Sequence, residues 1–345
     1  MINLEIMKYF RSDSMSVHLK EGCVPISKVG VPGNVRIVDL DYPPIEEYLI
    51  DAYISALVEE TYDNKSAFIE LEDIGVKVIQ MEDVRVTITE PPTSEAAEIT
   101  MVRPVARKKL IDYKLPDEIR NRIENDAQGI LIAGAPGAGK STFAQALADF
   151  FAKDGSIVKT MEQPRDLQVG KRVTQYAPIE GDMSKIADVL LLVRPDYTIY
   201  DELRRDDDFS AFADLRMGGV GMVGVVHATK AIDAIQRLIH RMELFMIPSV
   251  VDTVIFIEDG AISHIYEMEM SVKVPDGMKE ADLARPVIQV KDFLNKQVMF
   301  EIYTYGEQTV VMPLNQQANQ QANQPVPKKI DYRRPKNYGQ RKKKR

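Results

Sequence analysis

The segment GILIAGAPGAGKST, residues 129–142, decides the fold. Its apolar run Gly129–Ala133 predicts a buried strand, and the next eight residues fit GxxxxGK[ST], the pattern that follows a strand and opens a helix in phosphate-binding loops. Glycines let successive backbone N–H groups point at phosphate oxygens, and the helix N-terminus adds its positive dipole. The segment therefore predicts an ATP site, formed by Gly134, Ala135, Pro136, Gly137, Ala138, Gly139, Lys140, Ser141 and Thr142.

Four polar side chains around this loop have predicted roles. Lys140 should bridge the β- and γ-phosphates, and the Ser141 hydroxyl should ligate Mg²⁺. Such a site also needs an acid at the end of a neighbouring strand, and the apolar run at 198–200 ends in Asp201 and Glu202. We therefore expect Asp201 to join the Mg²⁺ shell and Glu202 to polarise the attacking water.

The chain changes in character near residue 126. From there the strands are continuous apolar runs separated by helical segments, which is typical of a parallel sheet covered on both faces. An α/β core is therefore expected over residues 126–265. Its predicted strands are Gly129–Ala133, Val189–Val193, Tyr197–Tyr200 and Val223–Val226, and its predicted helices are Ser141–Phe151 and Ala231–Phe245.

Smaller units flank this core. Residues 1–125 are expected to form an α+β domain, because strand-like alternation and helical periodicity both occur there. A short β-rich extension is expected over 266–313, with a hairpin turn at 294–296, and a disordered tail over 314–345, which lacks apolar content. The predicted elements are the helix Pro43–Glu60 and the strands Ala67–Leu71, Val76–Gln80, Val84–Thr89, Val287–Val290 and Val298–Tyr305.

The composition excludes several classes of protein. A chain of 345 residues fits roughly two domains. Because 45% of the residues are hydrophobic and 28% are charged, a fibre, a wholly disordered chain and a membrane-embedded bundle are all disfavoured. The N-terminus lacks the pattern of a secretory signal, and the single cysteine, Cys23, cannot form an internal disulfide. We therefore expect a cytoplasmic protein without a transmembrane segment.

The net charge of −8 is unevenly distributed. Residues 326–345 hold ten basic side chains against one acid, a net +9, which leaves −17 on the other 325 residues. A basic tail of this kind commonly contacts polyanions such as nucleic acid or an anionic membrane surface. A solvated end that aids solubility is the alternative, and charge alone leaves both open.

Three segments beyond the phosphate-binding loop resemble the secretion-type, PilT/GspE-like ATPases. TMEQPRD at 160–166 is similar to their acidic box, RPDYTIYDELR at 194–204 to their second nucleotide motif, and GMVGVVHAT at 221–229 to their histidine box. The order and spacing of the segments also agree. This resemblance implies a RecA-like core and a hexameric ring of identical chains.

The resemblance also implies roles for individual residues. Glu202 matches the catalytic glutamate, Glu162 the first acid of the acidic box, and His227 the histidine that senses or completes the site. Two positions depart from the pattern: Asp166 stands where the family usually has a second glutamate, and Asp201 where it usually has glycine.

Four arginines complete the implied catalytic set. Arg194 and Arg204 match the arginines near the phosphates, and Arg85 and Arg103 are candidates for acting across a subunit boundary. An arginine supplied by a neighbouring subunit can neutralise the charge that develops on the γ-phosphoryl group. The alternative for Arg85 and Arg103 is an ordinary strand arginine bonded to a nearby acid.

The resemblance is closer to an archaeal branch that usually carries an N-terminal PIN domain and a C-terminal KH domain. Segments such as EITMVRP, VTQYAP and DAIQRLIHR carry it, spread between about residues 15 and 312. Members of this branch are associated with nucleic-acid processing, including ATP-driven branch migration of Holliday junctions. We expect the chain to lack both flanking domains and to act on junction or single-stranded DNA.

Two other functions remain open from the sequence. The same core would serve an assembly motor for a type IV pilus, an archaellum or a secretion system, which pushes on a membrane platform protein. A nucleotide-gated scaffold with slow turnover is the third candidate, but intact Lys140, Ser141 and Glu202 argue against it. The run Asp206–Asp208 is expected to be a solvated turn, because adjacent carboxylates point in different directions.

Overall fold

The computed structural model describes residues 4–31, 34–64, 67–81, 83–103, 108–165, 167–276 and 284–314. The strands named there form two sheets, one of seven strands in the N-terminal part and one of ten strands in the remainder. The predicted α/β fold class is confirmed. The predicted basic tail, residues 314–345, lies outside the described residues except for its first residue.

The N-terminal sheet is antiparallel throughout, with the strand order β3-β2-β1-β7-β6-β5-β4. Helix α1 (Glu47–Asp63) packs on it, and a single 3₁₀ turn covers Glu5–Tyr9. The strands are β1 (Ser14–Lys20), β2 (Ile26–Val31), β3 (Asn34–Asp39), β4 (Ala67–Asp73), β5 (Val76–Met81), β6 (Val84–Thr89) and β7 (Glu98–Val102).

Period-two alternation explains this sheet. Val84, Val86 and Ile88 of β6 are buried, whereas the residues between them are half-buried, so one face of the strand meets the core. The three strands predicted in this region are therefore confirmed. The predicted helix Pro43–Glu60 begins four residues late, at Glu47, because Ile45 exchanges backbone hydrogen bonds with Gly22 and Cys23 and is held extended.

The second sheet is mixed. Its order is β10-β9-β11-β12-β8-β13-β14-β15-β16-β17, parallel from β10 to β13 and antiparallel from β13 to β17. The strands are β8 (Gly129–Gly134), β9 (Val158–Met161), β10 (Thr174–Tyr176), β11 (Tyr197–Tyr200), β12 (Gly221–His227), β13 (Thr253–Glu258), β14 (Ala261–Lys273), β15 (Arg285–Asp292), β16 (Val298–Tyr305) and β17 (Gln308–Pro313).

Helices cover both faces of the parallel part. Successive residues of β8 point to opposite faces, so Ile130 and Ile132 enter one hydrophobic cluster and Leu131 and Ala133 enter the other. The helices are α2 (Asp117–Asn121), α3 (Lys140–Lys153), α4 (Ser184–Val193), α5 (Asp206–Met217), α6 (Ala231–Ile239) and α7 (Ile247–Val250), with short turns at Leu110–Tyr113, Arg122–Asp126 and Leu244–Met246.

One predicted strand is wrong. Residues 189–193 form the last turns of α4. The prediction failed because a short apolar run is compatible with either a buried strand or a buried helix. The Asp182 carboxylate accepts a hydrogen bond from the backbone N–H of Ser184 at 2.9 Å at the start of this helix. Pro195 follows its end and disfavours continuation. The predicted helix Ala231–Phe245 is also shorter, ending at Ile239.

Two predicted domain boundaries fall inside packed units. Strand β14 crosses the expected boundary at 265/266 and pairs with β13, so the expected extension continues the core sheet. Before residue 126, Leu110, Leu115 and Ile119 pack in the same hydrophobic cluster as Phe143 of α3. Residues 110–125 therefore lie with the core and not with the N-terminal sheet. Among the described residues, no helix combines the length and apolar character needed to span a bilayer.

The helical assignment of residues 189–193 can be tested with a pair of matched leucine variants. In a strand Leu190 and Leu192 would share a face, whereas on α4 Leu190 is fully buried and Leu192 is 84% exposed. Leu190→Ala should lower the free energy of unfolding by about 2–5 kcal/mol, because it leaves a cavity. Leu192→Ala should change it by less than about 0.5 kcal/mol. Urea denaturation followed by circular dichroism measures both, and equal losses would contradict the helix.

Candidate nucleotide site

The phosphate-binding loop joins β8 to α3, as predicted. Gly137 and Gly139 have φ values of +78° and +96°, in the left-handed region that glycine adopts most readily. The adjoining turn supports the loop, since the backbone N–H of Gly260 donates to the Ala138 carbonyl at 2.9 Å. Lys108, from the segment between the sheets, donates to the Gly260 carbonyl at 2.9 Å. The loop is therefore held in the curled form that a polyphosphate needs.

Lys140 begins a chain of hydrogen bonds across the site. Its buried ammonium donates to the Ala135 carbonyl at 2.9 Å and to His227 Nδ1 at 3.0 Å. An ammonium can only donate, so Nδ1 accepts and the ring proton lies on Nε2. His227 Nε2 then donates to Glu202 Oε1 at 2.9 Å. Burial lowers the pKa of Lys140, although the carboxylates of Glu202 and Asp201 act in the opposite direction.

Glu202 lies just beyond the carboxyl end of β11 in an unusual backbone conformation. Its φ of +74° is uncommon for a residue with a Cβ, and strain of this kind concentrates at functional sites. Burial alone would raise the pKa of Glu202, but hydrogen bonds from Arg204 and His227 outweigh it and hold that pKa below its usual value. The carboxylate is therefore ionised at neutral pH, as a proton acceptor must be.

Ser141 and Asp201 adjoin each other, with the serine hydroxyl donating to Asp201 Oδ1 at 2.9 Å. In the described residues no group of three or more His, Cys, Asp or Glu side chains is arranged to hold a metal. Mg²⁺ does not need one, because it keeps several waters and binds through one or two protein oxygens together with substrate phosphates. A hydroxyl beside a carboxylate, next to a phosphate-binding loop, fits that requirement.

Two cavities meet at Glu202. One of about 260 Å³ is lined by the loop, by Lys140 to Thr142 and by His227. The other, of about 820 Å³, is lined by Gln163, Asp201, Glu202 and Arg204 and by side chains of α4 and α5. Glu202 therefore faces the space beside the loop from which water would approach a γ-phosphate.

The acidic box is placed behind this space. Glu162 is fully buried and accepts hydrogen bonds from the Thr160 hydroxyl, the Leu167 backbone N–H and the Gln175 amide. Its carboxylate thus ties together positions 160, 167 and 175, and it is the neighbouring Gln163 that lines the cavity. Its catalytic role stays a prediction. Asp166 lies outside the described residues.

Three predicted arginines are not brought to the nucleotide of their own chain. Arg194 is exposed and precedes the amino end of β11, the sheet edge opposite to the one that carries Glu202. Arg85 lies on β6, and Arg103 follows β7, with its guanidinium over Phe10 and its Nε 3.5 Å from Asp83. Only Arg204 of the four contacts the site. Action of the others across a subunit boundary stays a prediction.

Asp208 is a site residue that the sequence analysis missed. The run Asp206–Asp208 is not a solvated turn but the first turn of α5. The Asp208 carboxylate accepts from the Tyr200 hydroxyl at 2.6 Å and from the backbone N–H groups of Arg204 and Arg205 at 2.8 and 2.7 Å. It therefore fixes both ends of the segment that carries Glu202. Acidic residues are favourable at the start of a helix, so the run Asp206–Asp208 could have indicated a helix N-terminus here.

Comparison with known proteins agrees with this geometry. The profile of the family described as type II/IV secretion system protein matches residues 116–259. These residues are therefore similar to that family. The fold of the chain resembles the crystal structure of the pilus retraction motor PilT with bound ADP, with a TM-score of 0.55, 16% identity and coverage of 93% of this chain and 85% of that chain.

Two archaeal relatives match this chain along nearly its whole length. An uncharacterised KH and PIN-domain containing protein of Methanocaldococcus jannaschii is 55% identical over 93% of the chain. The Holliday junction branch migration ATPase PINA of Sulfolobus acidocaldarius is 46% identical over 92% of it. The chain spans 50% and 62% of the lengths of these two relatives.

Asp208 provides a sharp test of the site, because its neighbour Asp207 is a matched control. Asp208→Ala removes three hydrogen bonds from the Glu202 segment, so kcat for ATP hydrolysis should fall on the order of 10²-fold, as expected for a misplaced catalytic group. Asp207 is exposed and lines the same cavity, but it carries none of these three hydrogen bonds, so Asp207→Ala should lower kcat far less than Asp208→Ala. Equal rates for the two variants in a phosphate-release assay would show that Asp208 does not position Glu202.

The pH dependence tests the origin of the low Glu202 pKa. Without the Arg204 guanidinium this pKa should rise, so the Glu202 carboxylate in Arg204→Ala would protonate at a higher pH than in the wild-type protein. The acid limb of the kcat/KM profile should therefore move to higher pH. Arg205→Ala removes a neighbouring exposed guanidinium and should leave the limb in place. An unmoved limb in Arg204→Ala would refute this electrostatic role.

Proposed function

We propose that the chain is the ATP-hydrolysing part of a ring motor that remodels or translocates nucleic acid, in the manner of branch migration. The observation that carries this proposal is the 46% identity, over 92% of the chain, to a protein named Holliday junction branch migration ATPase. The hydrogen bonds of Lys140 with His227, of His227 with Glu202 and of Ser141 with Asp201 support its ATP-hydrolysing part. The nucleic-acid substrate and the ring are inferred from relatives longer than this chain.

The hydrolytic step follows from the side chains present. Backbone N–H groups of the loop and the Lys140 ammonium would contact the β- and γ-phosphates, which draws Lys140 away from His227. Glu202 would take a proton from a water whose oxygen bonds to the γ-phosphorus while the bond to the β-phosphate oxygen breaks. His227 and Arg204 would hold the Glu202 carboxylate in place. Bound Mg²⁺, next to Ser141 and Asp201, would neutralise charge on the β- and γ-phosphates.

A ring of six chains would complete the site. Arg85 and Arg103 lie in the N-terminal part and line neither cavity at Glu202 in the described structure, so a neighbouring chain is their route to a nucleotide. Arginines supplied in this way are worth several powers of ten in rate. The resemblance to hexameric ATPases motivates the ring. In such a ring each N-terminal sheet would contact the core of its own chain and also the core of the adjacent chain.

A second candidate is an assembly motor. The family profile is described as a secretion system protein, and the fold is similar to that of a pilus retraction motor. The catalytic core is compatible with both functions. The substrate that stimulates hydrolysis separates them: nucleic acid in one case and a membrane platform protein in the other.

Glu202→Gln tests the hydrolytic assignment. The amide keeps the size of the side chain but cannot accept a proton, so kcat should fall by roughly 10²–10⁴-fold while ATP still binds. Glu124→Gln, at an exposed position in the core, should behave as wild type. Phosphate release and binding of a fluorescent ATP analogue measure both properties. Turnover close to wild type in Glu202→Gln would refute the choice of base.

DNA stimulation tests the choice of substrate. Four-way junction DNA should raise the ATPase rate more than linear duplex of the same sequences, and DNA affinity should fall steeply with salt, because bound phosphates release counterions. Deleting Lys328–Arg345 removes most of the basic tail, and lower DNA affinity would assign part of the contact to it. Absence of salt-sensitive DNA binding, with stimulation by a membrane platform protein, would replace nucleic-acid remodelling with the assembly function.

A further inference from the structure

Strand β4, at the edge of the N-terminal sheet, carries a buried glutamate on a bulge. Ile69 lies opposite Ile79 and Leu71 opposite Val78, so Glu70 is the extra residue between two paired positions. A bulge of this kind redirects a side chain relative to the regular strand. The Glu70 side chain is only 4% exposed, and a carboxylate is rarely buried so far without a partner.

The partner of Glu70 lies in the ATPase core. Arg165, in the acidic-box loop, places Nε 3.1 Å and Nη2 3.0 Å from Glu70 Oε2, and its backbone N–H donates to Oε1 at 3.0 Å. The guanidinium also lies over the ring of Phe68 on the same strand, 4.4 Å from its centre. The guanidinium contacts are charge-assisted, the stronger class of hydrogen bond, and the backbone contact fixes the loop itself.

The loop that carries Arg165 is connected to the catalytic groups on its other side. Gln163, two residues earlier, lines the 820 Å³ cavity together with Asp201 and Glu202. Just after Arg165, the backbone N–H of Gln168 donates to Gln145 of α3 at 2.9 Å. Helix α3 begins at Lys140, so the loop contacts both the water-activating side and the phosphate-binding side of the site.

The surroundings of the pair leave room for movement. A cleft of about 510 Å³ opens beside it, between Phe68 and Gln80 of the N-terminal sheet and the core residues Lys171 and Thr174. The N-terminal sheet also has a hydrophobic cluster of its own. A relative shift of the sheet and the core would therefore leave the hydrophobic clusters of both closed.

We propose that the Glu70–Arg165 pair is a positioning contact that transmits nucleotide-dependent movement of the acidic-box residues 162–165 to the N-terminal sheet. The proposal deepens the motor function proposed above and rests on it. Arg165 contacts β4 through its guanidinium, which binds Glu70 and lies over the Phe68 ring, and through its backbone N–H, which donates to Glu70. A shift of Arg165 would therefore move this strand with it. Neither Glu70 nor Arg165 lines either cavity at Glu202 in the described part of the chain, so we expect basal hydrolysis to proceed without the pair.

Fluorescence transfer between the two parts of the chain tests this transmission. The single cysteine, Cys23, is exposed in the N-terminal part, and Lys153→Cys adds a second exposed label at the end of α3. Labelled chains are mixed with an excess of unlabelled protein, so that each ring holds at most one labelled copy. Transfer is then measured without nucleotide, with ADP and with ATP and Mg²⁺, in the absence of DNA. Wild type should show a nucleotide-dependent shift.

Glu70→Ala should lose this shift while basal ATP hydrolysis stays close to wild type. Glu72→Ala is the matched control, because Glu72 lies on the same strand but pairs with Lys77 inside the N-terminal sheet. It should keep the full shift. Arg165→Lys retains the charge without the planar fork, so it should fold and show a reduced shift. It keeps the test decisive if Glu70→Ala does not fold, which thermal denaturation would reveal.

Several results would overturn the transmission role. One is a change in fluorescence transfer as large as that of wild type in folded Glu70→Ala or in Arg165→Lys. Another is a loss of basal hydrolysis in parallel with the loss of that change. A third is the absence of any nucleotide-dependent change in fluorescence transfer in wild type. Failure of the nucleic-acid proposal is distinguishable, because the fluorescence assay contains no DNA. A normal shift with no DNA stimulation would reject the proposed substrate and leave the pair in its role.

Discussion

The parallel pairing of β8 with β12 and of β12 with β11 is the constraint on which the site depends. It sets Gly134 opposite His227 and Tyr200 opposite Gly224, so three strands end at one edge of the sheet. Each ending contributes one part of the chemistry: the phosphate-binding loop, the histidine and the acids Asp201 and Glu202. Open α/β sheets place their ligands beyond such carboxyl ends, and the hydrogen-bonded chain from Lys140 to Glu202 follows from this register.

The same register has a consequence for the polar network. Lys140, His227 and Glu202 are close enough to satisfy one another before any phosphate arrives. A phosphate that recruits Lys140 therefore removes the hydrogen-bond donor of His227 Nδ1, and the histidine must find another partner or change its tautomer. His227 contacts Glu202, the predicted proton acceptor, so its hydrogen bonding would change when a phosphate arrives. This is a physical basis for the predicted role of His227 in sensing nucleotide.

The parts of the fold with a strong local pattern were predictable. The loop Gly134–Ser141 and the strand Val84–Thr89 each combine residue type with a period, and both are found where predicted. The run 189–193 has apolar character without a period that separates helix from strand, so that prediction was wrong. Asp208 acts through local hydrogen bonds to Tyr200, Arg204 and Arg205, for which an acid at a helix start is only an indirect signal. Glu70 is turned by a bulge toward a partner far away in sequence, and a single sequence carries no direct signal for that contact.

The most direct test of the account is a structure of the Glu202→Gln variant with ATP and Mg²⁺. The triphosphate should lie in the loop Gly134–Ser141, with Lys140 Nζ moved from His227 to the β- and γ-phosphates and the Ser141 hydroxyl turned from Asp201 to the metal. Glutamine at position 202 should face the γ-phosphorus across one water. A triphosphate bound elsewhere, or Lys140 still 3.0 Å from His227 with the loop occupied, would contradict the central claim.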